Sequence, residues 1–236
     1  MNKHKLKYKY ELSEKIQIGI DEVGRGPMLG RVYTAAVILP DNFDVDFNFD
    51  YDLLKDSKKF TSHKKLLEVS KYIKEHSLFW NVSYVDEKEI DKINILNATH
   101  KSMHQNIYNL FQSNINLKFD NTILLIDGNN FKSYNYMCKK DNIMKQLDFE
   151  LIEGGDNKYC SIAAASILAK VERDDYIKEL CNSFKKLNLY YNIEKNKGYG
   201  TKQHIDGIKK FGISPWHRTT FGICKTSVIN SEDYYL

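Results

Sequence analysis

Four acidic residues lie where apolar runs of this sequence end, each within a few positions of a glycine. Asp21 and Glu22 close the run "IQIGIDE", Asp127 closes "NTILLID", and Asp156 follows "DFELIEGG". Carboxylates that lie close together repel one another unless cations offset their charge, and hard divalent cations prefer such oxygen ligands. Two such ions, about 3.5–4 Å apart, would orient a water and stabilise the leaving oxygen of a phosphodiester. If the runs are neighbouring strands, the four residues predict the site of a metal-dependent nuclease.

The paired acids set a condition on the chain. Adjacent residues of a strand point to opposite faces, so Asp21 and Glu22 can serve one site only if the chain bends there. Gly24 and Gly26 follow in "GIDEVGRGPMLG" and give the backbone the freedom to do so. We therefore expect a bend at the pair.

A basic segment near the end of the chain fits a nuclease. Between Lys185 and Lys225 there are nine Lys and Arg residues against Glu194 and Asp206. The aromatic residues interleaved with them are Tyr190, Tyr191, Tyr199, Phe211, Trp216 and Phe221. Cations that neutralise phosphates, beside rings that stack on sugars or bases, form nucleic-acid surfaces. A solvated basic face whose rings point into the core is the alternative interpretation.

The elements that must position these residues alternate between strands and helices after an initial pair of strands, which predicts an α/β protein. Strands are expected at "IQIGID", "GRVYTAAVIL", "LFWNVSYV", "NTILLID" and "DFELIEGGD", and helices at "TSHKKLLEVSKYIKEH", "NILNATHKSMHQNIYNLF" and "SIAAASILAKVERDDYIKELCNSF". Residues 1–15 read as a mobile basic tail. We expect a single catalytic domain over 16–236, with a helical part from about 185.

Composition bounds the class of protein and its compartment. The chain has 236 residues, 42% of them hydrophobic and 28% charged, and a net charge of +4 that by itself predicts no partner. Its four cysteines form no CxxC pair, which fits a reducing compartment. The basic start lacks the apolar region of a secretory signal, and no run reaches the length of a membrane span. We expect a cytoplasmic protein with no membrane contact.

Six ordered motifs resemble those of the ribonuclease HII (type 2 ribonuclease H) family. They are "GIDEVGRGP…TAAVIL", "DSKK", "LLIDGN", "GGDNKYCSIAAASILAKVERD", "NKGYGT" and "HRTTF", and they extend from Ile18 to about Phe221. The resemblance implies an RNase H-like mixed sheet flanked by helices, with a helical C-terminal extension. It also implies Mg²⁺- or Mn²⁺-dependent cleavage of the RNA strand of RNA·DNA hybrids and incision on the 5′ side of ribonucleotides in duplex DNA. The products would carry 3′-hydroxyl and 5′-phosphate ends.

The resemblance also assigns roles to individual residues. Asp21, Glu22, Asp127 and Asp156 match the family's four catalytic, metal-binding carboxylates. Gly24, Arg25 and Gly26 match the loop that grips the ribonucleotide at its 2′-hydroxyl, and Tyr199 matches the tyrosine that stacks on the following sugar. The family motifs also place four residues near the substrate or the helix packing: Lys58, Lys59, Ser166 and Lys170. For Asp174 in "VERD" we expect a structural role.

Some features depart from compact bacterial members or leave alternatives. The segments 40–55 and 129–148 look longer, and "FKSYNYMCKKDNIMKQLD" is expected to be an added surface element. The ending "SEDYYL" is not a convincing clamp-binding peptide, so we expect a monomer whose partner is nucleic acid. A non-catalytic RNA·DNA hybrid-binding module of the same fold is one alternative. A phosphate-cofactor enzyme of α/β type is another, although "GRGPMLG" lacks the fingerprint of a nucleotide-binding loop.

Overall fold

The computed structural model, which describes residues 5–40, 49–113, 117–138 and 142–234, contains a five-stranded sheet. Its strands are β1 (Ile16–Val23), β2 (Val32–Ile38), β3 (Phe79–Val85), β4 (Thr122–Asp127) and β7 (Asp148–Ile152). They lie in the order β3-β2-β1-β4-β7, and β4 pairs in parallel with both β1 and β7. The α/β class and the five predicted strands are confirmed.

Two further strands form an antiparallel hairpin. They are β5 (Asn135–Cys138) and β6 (Ile143–Gln146), and Met137 lies opposite Met144. The hairpin lies inside the segment that the sequence marks as an added surface element, and residues 139–141 of that segment lie outside the described part of the chain. Most of its side chains are exposed, as expected for a surface element.

The helices are α1 (His63–His76), α2 (Glu87–Ile93), α3 (Ile95–Gln112), α4 (Cys160–Ser183), α5 (Lys185–Tyr191), α6 (Ile193–Asn196) and α7 (Lys202–Phe211). Ser62 is the N-cap of α1, because its side chain accepts a hydrogen bond from the backbone N–H of Lys65 at 3.4 Å. Single 3-10 turns at Ser57–Lys59 and Gly155–Asn157 carry residues of the candidate site. No helix in the described ranges is long and apolar enough to cross a membrane.

The chain divides into two compact units. Unit 1 consists of the described residues within Met1–Glu22, Thr34–Ser83 and His100–Val171, and unit 2 of those within Val23–Tyr33, Tyr84–Thr99 and Glu172–Leu236. An apolar cluster of unit 1 includes Ile18, Ile20, Ala36, Met103, Ile107, Leu124 and Ile126. An apolar cluster of unit 2 includes Met28, Leu29, Ile177, Leu187, Tyr191, Ile193 and Ile208. The predicted single catalytic domain over 16–236 stays a prediction.

Part of the N-terminal segment, which the sequence predicts to be a mobile basic tail, contacts the turn before α4. Residues 1–4 lie outside the described part, but the N–H of Lys7 donates to the carbonyl of Lys158 at 2.8 Å. The N–H of Cys160 donates to the carbonyl of Lys7 at 2.9 Å. The ring of Tyr10 also packs edge-on against that of Tyr159. These contacts give residues 7–10 backbone and aromatic partners at the start of α4, and the mobility of residues 1–15 stays a prediction.

Candidate active site

The register of the sheet brings three acid-bearing strand ends side by side in unit 1. Ile20 pairs with Ile126, so Asp21 follows at the same edge as Asp127, the last residue of β4. Asp127 in turn pairs with Ile152, the last residue of β7. Because carboxyl ends of parallel strands share one edge of a sheet, this edge is where ligands of α/β proteins bind.

Asp21 is one of the two almost fully buried acids of the candidate site. Its side chain belongs to a residue that is 4% exposed, and its Oδ1 accepts the N–H of Glu22 at 2.6 Å. Burial raises the pKa of Asp21 well above its ordinary value, and the charges of Glu22 and Asp127 raise it further. A hydrogen bond from Ser166 acts in the opposite direction. An anion here needs a cation beside it, since neither burial nor its acidic neighbours favour the charge.

The bend expected at the paired acids lies further along the chain. Strand β1 continues through Glu22 to Val23, and the backbone turns at Gly24, whose φ is +93°. Glu22 nevertheless lies close enough to Asp21 for its negative charge to raise the pKa of Asp21. This charge interaction needs no bend at the pair, and the service of Asp21 and Glu22 in one site stays a prediction.

Asp127 links the end of β4 to the turn that follows β7. Its Oδ1 accepts the backbone N–H of Gly155 at 2.6 Å. Gly155 begins the 3-10 turn that carries Asp156. This hydrogen bond fixes the position of the second acidic segment relative to the first.

Asp156 is 3% exposed, and its pKa is raised, chiefly by burial and then by the charges of Asp127 and Asp56. Two groups compensate its charge. The Nζ of Lys58 lies 3.6 Å from its Oδ2, and the amide of Asn157 donates to its Oδ1 at 3.1 Å. Asp21 and Asp156 are thus two buried acids whose ionised forms are disfavoured, and both interact with Asp127.

The segment "DSKK" adjoins this cluster through a residue that the sequence interpretation did not select. The side chain of Asp56 caps the 3-10 turn by accepting the N–H of Lys58 at 2.8 Å. Its other oxygen accepts the amide of Asn157 at 3.2 Å, and the Nζ of Lys59 donates to the Oδ1 of Asn157. Asn157 therefore connects Asp56 to Asp156. Both Asp56 and Asn157 stand in the quoted motifs, which was the available signal.

The predicted residues Lys58, Ser166 and Lys170 lie in unit 1 with the acids. Burial lowers the pKa of Lys58, but the carboxylates of Asp156 and Asp56 raise it more, so the net shift is upward. The hydroxyls of Ser166 and Ser57 lie 3.0 Å apart, which ties the "DSKK" segment to α4. Lys170 is partly buried on α4, one helical turn after Ser166.

The predicted ribose-binding loop lies in unit 2, where a buried arginine holds its backbone. Arg218 donates to the carbonyls of Gly24 at 2.6 Å, Arg25 at 3.0 Å and Gly30 at 2.8 Å. A Cβ on Gly24 would lie 2.4 Å from Nε of Arg173, so this position requires glycine for space as well as for its positive φ. The side chain of Arg25 is exposed.

Tyr199 is exposed beside the same loop. The residue is 47% exposed, and its ring carbon Cε1 lies 3.4 Å from the position of a Cβ built on Gly26. The other aromatic residues of the basic segment are different. Tyr191 is fully buried, and Tyr190, Phe211, Trp216 and Phe221 pack as partly buried rings on the core of unit 2. The core interpretation therefore holds for these five rings, and Tyr199 is the one that faces solvent.

Asp174 is buried on α4 in unit 2, next to Arg173 in the chain. Burial lowers the pKa of Arg173, and the charges of Tyr199 and Asp174 act against that shift. The structural role expected for Asp174 stays a prediction.

The donor set of unit 1 fits hard divalent cations. It consists of carboxylate oxygens, and the raised pKa values of Asp21 and Asp156 show that added positive charge would stabilise their ionised forms. Within the described residues, no three Asp, Glu, His or Cys side chains stand in a ready-made coordination shell. The fit rests on the chemistry of the ligands and their mutual repulsion.

Comparison with known proteins identifies relatives along nearly the whole chain. The family model described as Ribonuclease HII matches residues 18–224. A curated Ribonuclease HII of Phocaeicola vulgatus is 42% identical over 217 residues, which cover 92% of this chain and 94% of that protein.

Two solved structures share the fold. A chain of the PCNA:RNase HII complex from Archaeoglobus fulgidus matches with a TM-score of 0.61 and 21% identity, covering 88% of this chain and 95% of that chain. Bst-RNase HIII in complex with Mn²⁺ matches with a TM-score of 0.60 and 14% identity, covering 85% of this chain and 71% of that chain. The predicted RNase H-like mixed sheet is thereby confirmed.

Proposed function

The chain belongs to the ribonuclease HII family, whose curated members are type 2 ribonuclease H hydrolases, and from this premise we propose its substrates and chemistry. The protein cleaves the RNA strand of RNA·DNA hybrids and incises duplex DNA on the 5′ side of embedded ribonucleotides. It leaves 3′-hydroxyl and 5′-phosphate ends. The observation that carries the proposal is the meeting of Asp21 and Asp127 at adjacent strand ends, with Asp156 joined to them through Gly155.

In this proposal the four carboxylates of unit 1 would hold Mg²⁺ or Mn²⁺: Asp21, Glu22, Asp127 and Asp156. The bound ions would supply the charge that activates a water and stabilises the leaving oxygen of the phosphodiester. The hydrogen bond from Ser166 keeps Asp21 oriented and supports its ionised form. Asn157 does the same for one oxygen of Asp156, which leaves the other oxygen facing Lys58.

The lysines of unit 1 suit the phosphate backbone of the substrate. The side chain of Lys58 is 80% exposed although its Nζ lies near Asp156, so it can reach an incoming phosphate. Lys59 and Lys170 add two further cations to the same unit. We propose that these three lysines position the scissile strand, while Ser166 acts on Asp21.

Recognition of the ribonucleotide is proposed for the loop of unit 2. A 2′-hydroxyl is both a donor and an acceptor, so it distinguishes RNA from DNA at one position. Gly26 is exposed and has no side chain, so its backbone can approach the ribose, and the exposed Arg25 offers a cation for the adjacent phosphate. Gly24 is buried and shapes the turn that presents them. The exposed ring of Tyr199 would stack on the next sugar.

A cleavage assay on two substrates tests the proposal. One is duplex DNA that holds a single ribonucleotide, and the other is a continuous RNA·DNA hybrid, each with Mn²⁺ or Mg²⁺. We expect cleavage of both, with a 5′-phosphate on the ribonucleotide fragment, and loss of cleavage in Asp21→Asn. Tight binding of either substrate without any cleavage would instead support the alternative, a non-catalytic hybrid-binding module.

The remaining expectations concern the setting of the protein. We propose a cytoplasmic monomer whose partner is nucleic acid, without membrane contact. Its four cysteines lie within the described ranges, where all are buried and none forms a disulfide, which supports a reducing compartment. Independence from a sliding clamp stays a prediction from the ending "SEDYYL", whose residues 235–236 lie outside the described part.

A further inference from the structure

Two buried histidines of unit 2 form a direct pair that no part of the proposed chemistry uses. His204 is 0% exposed and His217 is 2% exposed. Their Nε2 atoms lie 2.9 Å apart. A contact of this length between two ring nitrogens is a hydrogen bond, so one nitrogen carries a proton and the other does not.

Their neighbours determine which nitrogen is which. The backbone N–H of Ser214 can only donate, and it does so to Nδ1 of His217 at 2.9 Å. His217 therefore carries its proton on Nε2 and donates it to Nε2 of His204. Nδ1 of His204 then carries the remaining proton and donates it to the carbonyl of Tyr199 at 2.9 Å. Both rings are neutral in this arrangement, which burial also favours by lowering both pKa values.

The chain of hydrogen bonds ends at the residue that presents the exposed ring. Tyr199 stands between Gly198 and Gly200, so no neighbouring side chain restricts its backbone. Its carbonyl accepts a second hydrogen bond from the N–H of Thr201 at 2.8 Å. These two bonds fix the peptide from which the ring projects beside Gly26.

We propose that His204 and His217 are positioning residues that hold Tyr199 in place at the ribose-recognition loop. The inference rests on the function proposed above, in which Tyr199 stacks on the sugar after the ribonucleotide. The histidines contact neither substrate nor metal in this proposal. They act through the backbone of Tyr199, because a ring that is already oriented loses less conformational freedom on binding.

Two amide variants of similar polarity separate the positioning role from simple packing. In His204→Asn the amide nitrogen takes the place of Nδ1 and can still donate to the carbonyl of Tyr199. In His204→Gln the amide reaches the place of Nε2, so the contact with His217 is kept and the bond to Tyr199 is lost. We expect kcat/KM on the single-ribonucleotide duplex to fall about tenfold in His204→Gln and about threefold or less in His204→Asn. The reverse order would overturn the proposal.

A double-mutant cycle with Tyr199→Ala tests whether the effect passes through Tyr199. If it does, adding His204→Gln to Tyr199→Ala produces no further loss of kcat/KM. If the loss of kcat/KM in the double variant equals the product of the two single losses, the positioning role is overturned and the proposed function remains intact. A Tyr199→Ala protein with wild-type kcat/KM would overturn both the positioning role and the proposed role of Tyr199.

The hydrogen-bond chain can also be measured in the wild-type protein, which keeps the test decisive if a variant does not fold. Long-range ¹H–¹⁵N NMR spectra of histidine side chains distinguish the tautomers. At pH 7 we expect His204 to be neutral with its proton on Nδ1 and His217 to be neutral with its proton on Nε2. Any other pair of protonation states contradicts the chain of donors and overturns the proposal.

Discussion

The Oδ1 of Asp127 accepts the backbone N–H of Gly155 at 2.6 Å. The last residue of β4 therefore anchors the turn that follows β7, its neighbour in the sheet. The turn carries Asp156, whose buried carboxyl has a raised pKa partly because of the charge of Asp127. The hydrogen bond from Gly155 therefore keeps the two acids close together, although their negative charges repel each other. Bound cations would stabilise the ionised acids of this site. Replacing one of the acids should therefore lower activity without lowering the stability of the metal-free protein.

Replacing Asp127 by Asn should remove most cleavage while the protein remains folded. The amide oxygen can still accept the N–H of Gly155, but it is a poor ligand for a hard cation and carries no charge. With less repulsion among the acids, the melting temperature without metal should stay level or rise. Cleavage rates in Mg²⁺ and a metal-free melting curve measure the two effects. Glu150→Gln, at an exposed position of β7, is the matched control. Near wild-type cleavage by Asp127→Asn would exclude this residue from the site.

Asn157→Ala should weaken both stability and cleavage. The buried carboxylates of Asp56 and Asp156 each lose a donor, which costs about 1–3 kcal/mol of unfolding free energy. Urea unfolding without metal measures the loss. Asn97→Ala removes an exposed amide of α3 and should change the free energy of unfolding by less than about 0.5 kcal/mol. An equal effect of the two variants would show that the Asn157 bridge contributes nothing particular.

Tyr199→Ala should reduce cleavage of the single-ribonucleotide duplex by about 5- to 150-fold, since stacking on an aromatic ring is worth about 1–3 kcal/mol. Because the ring is exposed, the melting temperature should change little. Tyr199→Phe keeps the stacking face and serves as the control. An unstable Tyr199→Ala protein whose soluble fraction cleaves normally would reassign Tyr199 to the core.

Gly26→Ala should fold and should discriminate between substrates. The added methyl group meets the Tyr199 ring at 3.4 Å, which the ring can accommodate, but it narrows the approach to the ribose. Cleavage at a single ribonucleotide should fall more than cleavage of a continuous hybrid. Gly24→Ala is the contrasting variant, since its methyl group would collide with Arg173 and should destabilise unit 2. Equal losses on both substrates in Gly26→Ala would show that the loop does not set the preference.

The contribution of the histidine pair to stability should be lost as pH falls below about 6.5. Burial lowers the pKa of His204 and of His217, whereas histidine in an unfolded chain titrates near pH 6.5. Below about pH 6.5 the two histidines therefore bind protons in the unfolded state that they do not bind in the folded state. The stability is fully present above the unfolded pKa and is lost as pH falls toward the folded values, by up to about 1.4 kcal/mol per pH unit for each ring.

The measurement must separate the contribution of the histidines to the free energy of unfolding from the contribution of the acids. Asp21 and Asp156 have raised pKa values, so without metal they gain protons on folding and stabilise the protein as pH falls. Comparing wild type with His204→Asn between pH 7 and 5 removes that common contribution. In the variant, the free energy of unfolding should depend less steeply on pH, by the equivalent of about one proton. If the curves of the two proteins run parallel, the lowered pKa of His204 is contradicted.

The sequence allowed the strands and the three acid-bearing strand ends to be predicted, because apolar runs followed by carboxylate and glycine are local patterns. The partners of those acids could not be predicted in the same way. Asp56 and Asn157 are 101 positions apart, and their hydrogen bond exists only once the sheet and the 3-10 turns have formed. The histidine pair also escaped notice, since a buried neutral imidazole leaves no charge pattern in the sequence.

The backbone pairing of Lys7 with residues 158–160 has a practical bearing on how the protein is produced. The carbonyl of Lys7 accepts the first N–H of α4, directly after the turn that holds Asp156. Trimming the chain to start near residue 16 would remove the carbonyl of Lys7, and a bulky tag fused in front of Lys7 would crowd it. An expression design that keeps residues 5–15 and places the affinity tag elsewhere preserves the support of the acidic turn, so that inactivity of a shortened protein is not mistaken for the loss of a catalytic group.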